Sequence, residues 1–165
     1  MNNIVLIGMP GAGKSTVGVI LAKVLGYRFL DSDLLIQEQE KRLLKDIIEE
    51  DGLDGFIRIE NRINSTITAE RTVIATGGSV IYGREAMEHL REIADVVYIK
   101  LRYETLEERL DNIRQRGVVL RRGQDLRGLY EERCPLYEQY AHIIIEAEGK
   151  GIEELMEAII EKINL

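Results

Sequence analysis

Gly8, Gly13, Lys14 and Ser15 stand at a spacing that can hold a polyphosphate. The run Gly8-Met9-Pro10-Gly11-Ala12-Gly13-Lys14-Ser15 has the form G-x-x-x-x-G-K-[ST] of a phosphate-binding loop. Glycines reach backbone angles closed to other residues, so successive N–H groups can turn inward on an anion. A helix opening near Lys14 adds the positive end of its dipole. Lys14 then offers a mobile point charge to β- and γ-phosphates, and Ser15 offers a hydroxyl to Mg2+. Gly11, Ala12, Gly13, Lys14, Ser15 and Thr16 are the expected contacts to a nucleoside triphosphate such as ATP. Two carboxylates follow in Asp31-Ser32-Asp33. Acids at the carboxyl end of a strand in an open parallel sheet lie where ligands bind. The expected division is one acid near Mg2+ and one near an acceptor hydroxyl. Capping of the next helix competes for Asp31 or Ser32.

These residues need a scaffold, and the hydrophobic pattern supplies one. Ile4-Val5-Leu6-Ile7 is continuous and mostly β-branched, which suits a strand buried on both faces. Val17, Ile20, Leu21, Val24 and Leu25 then recur at helical spacing, and Gly26 is placed to end that helix. Phe29-Leu30 reads as a second strand. Residues 34 to 70 read as helices with a break near Asp51-Gly52. Val73-Ile74-Ala75, Val96-Val97-Tyr98-Ile99 and Ile143-Ile144-Ile145 read as three more strands. Helices are expected over about 84–92, through Leu106, Leu110 and Ile113, and through Ile152, Leu155, Met156, Ile159, Ile160 and Ile163. Alternation of this kind predicts an α/β fold with three layers, α/β/α, around a five-stranded parallel sheet.

The whole chain, 1–165, is read as one domain, which 165 residues suit. A net charge of −7 disfavours a nucleic-acid backbone as partner. No run approaches ~18 apolar residues, so no membrane span is expected. The one cysteine, Cys134, fits a reducing cytoplasm and a partly buried small residue. A soluble, cytoplasmic monomer is expected. Arg114-Gln115-Arg116-Gly117 and Arg121-Arg122-Gly123-Gln124 lack apolar periodicity and read as a charged flap.

Taken together these motifs resemble the shikimate kinase family over nearly the whole chain. They are the phosphate loop, the Asp31-Ser32-Asp33 triplet, Ala75-Thr76-Gly77-Gly78, an arginine-bearing lid around 112–125, and Arg133-Cys134-Pro135-Leu136-Tyr137. The resemblance implies a phosphate-loop NTPase of the nucleoside monophosphate kinase-like kind. It implies ATP and Mg2+ as cofactors and transfer of phosphate to a hydroxyl of a small carboxylated metabolite, shikimate or a related hydroxy acid. Asp31 looks like the acid that holds the Mg2+ shell with Ser15. Asp33 looks like the residue that binds acceptor hydroxyls and draws the proton. Gly77 and Gly78 resemble the glycines that approach the acceptor. Arg116 resembles the lid arginine over the γ-phosphate, Arg109 the one that stacks on adenine, and Arg133 the one that grips the acceptor carboxylate. An acceptor-binding helical segment is expected around 32–62.

Three departures bear on the acceptor. In Gly55-Phe56-Ile57-Arg58-Ile59-Glu60, Ile57 stands where the family carries a second carboxylate-binding arginine. Arg58 follows one position late, a rotation of ~100° on a helix. Arg58 is kept among the expected acceptor residues, and its direction decides the matter: toward Asp33 and Arg133 it rebuilds the clamp, toward solvent it favours another acceptor. Ser79 stands at the usual third glycine, and the lid reads Arg116-Gly117-Val118-Val119-Leu120 without the usual proline. Besides a shikimate kinase, the sequence leaves open a paralogous kinase of another hydroxy acid, sugar acid or polyol. A nucleotide-binding module without catalysis is the third reading.

Overall fold

The computed structural model describes residues 2–110 and 125–164. Five strands form one parallel sheet in the order β2-β3-β1-β4-β5. They are β1 (Ile4–Ile7), β2 (Arg28–Asp31), β3 (Thr72–Ala75), β4 (Asp95–Lys100) and β5 (Ile143–Glu146). The helices are α1 (Lys14–Leu25), α2 (Ser32–Glu40), α3 (Leu44–Asn64), α4 (Arg84–Ile93), α5 (Tyr103–Leu110), α6 (Leu126–Tyr140) and α7 (Ile152–Ile163). β1, β3 and the middle of β4 are fully buried. Hence they read as unbroken apolar runs, as strands covered on both faces do. The edge strands differ, and Ile144 of β5 is exposed.

Strand order fixes where a ligand can enter. The connection leaving β1 runs past β3 to β2, while the one leaving β3 runs past β1 to β4. Their departures in opposite directions open a crevice at the carboxyl ends of β1 and β3. Register aligns those ends: Leu6 pairs with Ala75, and Ala75 with Asp31. Thr76 closes the corner, its hydroxyl donating to Leu6 O at 2.7 Å. The phosphate loop, Asp31-Ser32-Asp33 and Gly77-Gly78 therefore leave the sheet side by side.

Several sequence expectations shift in detail. α1 buries Val17, Gly18, Leu21 and Ala22, whereas Val24 is exposed. The break at Gly52 is a kink inside α3, with φ 78° and ψ 172°. Helix stops at Asn64 rather than running to 70. α6 has no counterpart in the pattern reading. Its Pro135 removes one backbone donor, yet the helix continues, held by buried Arg133 and Tyr137. Ile113 and the lid, apart from Asp125, lie outside the described residues. Asp125 caps α6 by accepting from Gly128 N at 2.7 Å.

Among the described residues, two apolar clusters stabilise the fold. The larger surrounds the sheet. The smaller, Ile36, Ile47, Phe56 and Ile63, joins α2 to α3. Around it Arg42 binds Glu40, Glu50 and Asp51 at 2.7–3.0 Å, fixing the turn between these helices. Asn3 braces the far end of the sheet. Its amide donates to Ala69 O and Ile93 O, and its oxygen accepts from Thr72 N. Asn3→Ala strands one buried and two part-buried backbone groups and is expected to cost about 2–3 kcal/mol in urea unfolding. A loss below about 1 kcal/mol would mean that water replaces the side chain. Among the described residues no helix is long and apolar enough to cross a membrane.

Candidate active site

The loop between β1 and α1 is shaped by its glycines. Gly13 caps α1 at φ 90°, a left-handed position that a side chain strains. Gly8 passes so close to β4 that a methyl group there would stand 2.8 Å from Ile99 O. Beneath the loop, Lys14 is buried and donates to Gly8 O at 2.5 Å and Met9 O at 3.0 Å. Burial lowers its pKa from 10.5 to about 8, with Asp33 the foremost opposing charge. Ser15 and Thr16 are exposed on the first turn of α1.

Asp31 caps α2, its Oδ1 accepting from Asp33 N and Leu34 N at 2.9 and 3.3 Å. The competing use of this acid is thus realised. Asp33 points the other way, toward Gly77: a methyl group on Gly77 would stand 2.7 Å from Asp33 Oδ1 and 3.1 Å from Glu60 Oε2. Burial raises Asp33 to about 6, the charge of Asp31 adds to the rise, and Lys14 opposes it. Glu60 is only 1% exposed, and burial pushes it up to about 8.

Arg133 comes in from α6, also 1% exposed. Its Nε donates to the Tyr82 hydroxyl at 3.3 Å, and the Tyr82 hydroxyl meets Glu132. A methyl group on Gly78 would lie 2.9 Å from Arg133 Nη1 and 2.8 Å from Pro10 Cδ. Tyr137 donates to Gly78 O at 2.6 Å, which ties α6 to the turn after β3. Lys14, Asp33, Gly77, Gly78, Ser79 and Arg133 thus converge on one cleft. Beside the phosphate loop lies a cavity of about 190 Å³ lined by Ala12, Gly13, Thr16, Leu101, Arg109, Ala147 and Lys150, among others. Arg109 Nη1 donates to Gly11 O at 3.0 Å across its mouth.

The shikimate kinase sequence model matches residues 10–164. A shikimate kinase of Sulfurihydrogenibium sp. (strain YO3AOP1) is 36% identical over 99% of each chain. That of Persephonella marina is 35% identical, over 99% of this chain and 100% of the relative. A solved shikimate kinase from Acinetobacter baumannii, in complex with shikimate, superposes with a TM-score of 0.88. It is 33% identical and covers 99% of this chain and 93% of its own. This chain belongs to the shikimate kinase family.

Ile57 packs against the small apolar cluster of α2 and α3. Arg58 is exposed and lines an outward cavity with Glu40, Asp51, Gly55, Ile59 and Arg62. The structure does not bring it to Asp33 and Arg133. Phe56, Glu60 and Ile63 own the inward face of α3, and a position two residues from Glu60 is turned by about 200°. Arg116 lies outside the described residues. Pattern reading missed Glu60, Tyr82 and Tyr137 as parts of the site, along with the cavity residues after β4 and β5. Glu60 did leave a signal: an acid at the apolar spacing of Phe56 and Ile63.

Proposed function

We propose that this chain transfers the γ-phosphoryl group of ATP to a hydroxyl of shikimate, as a single phosphate-loop kinase domain working as a cytoplasmic monomer. What supports this reading is one arrangement: a buried phosphate-loop lysine, Lys14, beside a buried carboxyl, Asp33, with Arg133 across the same cleft. The loop N–H groups and Lys14 bind the triphosphate, and Arg109 covers the base cavity. Mg2+ fits the donor set, because it takes one or two hard protein oxygens and leaves the rest to phosphate and water. Ser15 and Asp31 would hold it. When bound, it neutralises charge on the β- and γ-phosphates.

Phosphoryl transfer asks a protein mainly for alignment and neutralisation. Asp33 orients the acceptor hydroxyl and takes its proton, for which a pKa near 6 is suited. Arg133 faces the acceptor carboxylate, while Gly77 and Gly78 leave room for the ring. The helical segment 32–62 forms the acceptor wall, and Arg116 in the 112–125 lid closes over the γ-phosphate and keeps water out.

A second reading has one observation behind it. With Arg58 turned outward and Ile57 in an apolar cluster, α3 presents no carboxylate clamp of its own. That favours another hydroxy acid, sugar acid or polyol. Coupled ATP consumption with shikimate, quinate, simple sugar acids and polyols separates the two. Turnover of shikimate at a kcat/KM of at least about 10⁴ M⁻¹s⁻¹, within the usual enzyme range, is the expected result. Faster turnover of another acceptor, with shikimate idle, would replace it.

A further inference from the structure

Tyr82 has no part in the reaction as described, yet it touches the arginine on the acceptor side of the cleft. It ends a short 3-10 helix, Val80–Tyr82, that follows Gly77-Gly78-Ser79. Val80 and Ile81 are buried in the main core, and Tyr82 N donates to Ser79 O at 3.1 Å. The ring is therefore carried on a fixed backbone. The Arg133 guanidinium lies over it, with Cζ 5.4 Å from the ring centroid. Arg133 Nε donates to the phenol oxygen at 3.3 Å, and the phenol meets the exposed Glu132. A guanidinium only donates and a carboxylate only accepts. The hydroxyl proton is thereby directed to Glu132 and the oxygen lone pairs to Arg133. Each bond has a charged partner, which makes it stronger than a neutral one.

We propose that Tyr82 is a positioning residue of the acceptor site: it holds the Arg133 guanidinium in the orientation that receives the acceptor carboxylate, and so sets the preference for carboxylated over uncharged acceptors. This rests on the kinase reading and deepens it by naming what selects the acid. An unsupported arginine side chain samples many rotamers, and ordering it on binding weakens affinity. Here the ordering is done beforehand. The phenol engages Nε, the ring underlies the guanidinium carbon, and Nη1 stands beside Gly78, 2.9 Å from a methyl group built there. Tyr137 ties the same turn to α6 through Gly78 O. Pairing of a guanidinium with a carboxylate through two bonds depends on such fixed geometry. Arg58 and Arg62 of α3 are both exposed, so that helix adds no second arginine and the orientation of Arg133 matters the more.

The test compares shikimate with its methyl ester, which keeps the hydroxyls and lacks the charge. Values of kcat/KM at saturating Mg–ATP are read for the unaltered chain, Y82F and Y82L. The ester's inhibition constant against shikimate gives the same comparison without ester turnover. The unaltered chain is expected to favour the acid about a hundredfold, as removing one partner of a buried charge pair does. Y82F keeps the ring and loses the phenol oxygen. It should lower the shikimate value roughly fivefold, mostly through KM, and the ester value less than about twofold. Y82L loses the ring too and should lower the shikimate value about thirtyfold, the ester value less than about threefold. The preference for the acid thus shrinks in two steps. A tyrosine that only holds the cleft together would lower both substrates alike and leave their ratio unchanged. That result in Y82F overturns the proposal, whether or not Y82L folds. No turnover of shikimate by the unaltered chain overturns the kinase reading and takes this proposal with it. Turnover of shikimate with a level ratio overturns the role of Tyr82 alone.

Discussion

The Asp33→Asn chain is expected to lose about 10²- to 10³-fold in kcat while binding Mg–ATP almost as tightly as the unaltered chain. Asparagine keeps the size and one acceptor oxygen of the side chain, so the approach to Gly77 survives. It removes the basicity that draws the acceptor proton. It also removes the charge that most supports the buried Lys14 ammonium. In the proposed arrangement the loop N–H groups carry most of the grip on ATP and Lys14 only part of it, so kcat should fall much further than ATP affinity. Steady-state kinetics paired with calorimetry of Mg–ATP binding checks this. Equal losses in both would make Asp33 a nucleotide ligand and move the acceptor elsewhere.

What the sequence revealed follows the range of the signals. The phosphate loop, its strand and its helix are contiguous, so local pattern was enough to find them. The central strands were legible because burial on both faces leaves no polar interruption. α6 was not, since its inward residues include an arginine and a tyrosine, and Pro135 argues against helix by local propensity. Its burial of Leu129 in the main core, with the contacts of Arg133 and Tyr137 to the turn after β3, explains why it forms. Arg58 illustrates the opposite difficulty. Residue type suggested a clamp, but helix phase decides direction, and Phe56, Glu60 and Ile63 set that phase. The cavity beside the phosphate loop joins residues more than a hundred positions apart, from Ala12 to Lys150, which no window along the chain can gather. Asp31 had two uses in prospect, and the cap it makes leaves the metal role to be tested separately.

Lys14→Met should reduce kcat/KM by about 10³-fold or more, as losing a preorganised charge on the transferring group does. The same substitution should leave the chain folded, and the reason lies in the lysine's own cost. A pKa lowered from 10.5 to about 8 means that folding works against the ammonium by roughly 3 kcal/mol at neutral pH. Its bonds to Gly8 O and Met9 O return part of that. Methionine has similar length, no charge to desolvate, and no donor for those carbonyls. The two effects are of like size and opposite sign. The urea midpoint is therefore expected to stay level or rise while turnover collapses. A chain that is inactive because it is unfolded would show a lower midpoint. A chain that keeps its midpoint and its turnover would remove Lys14 from the chemistry. Level stability with lost activity is the outcome that identifies a residue retained against the fold's own preference, for a phosphate that only the working enzyme meets.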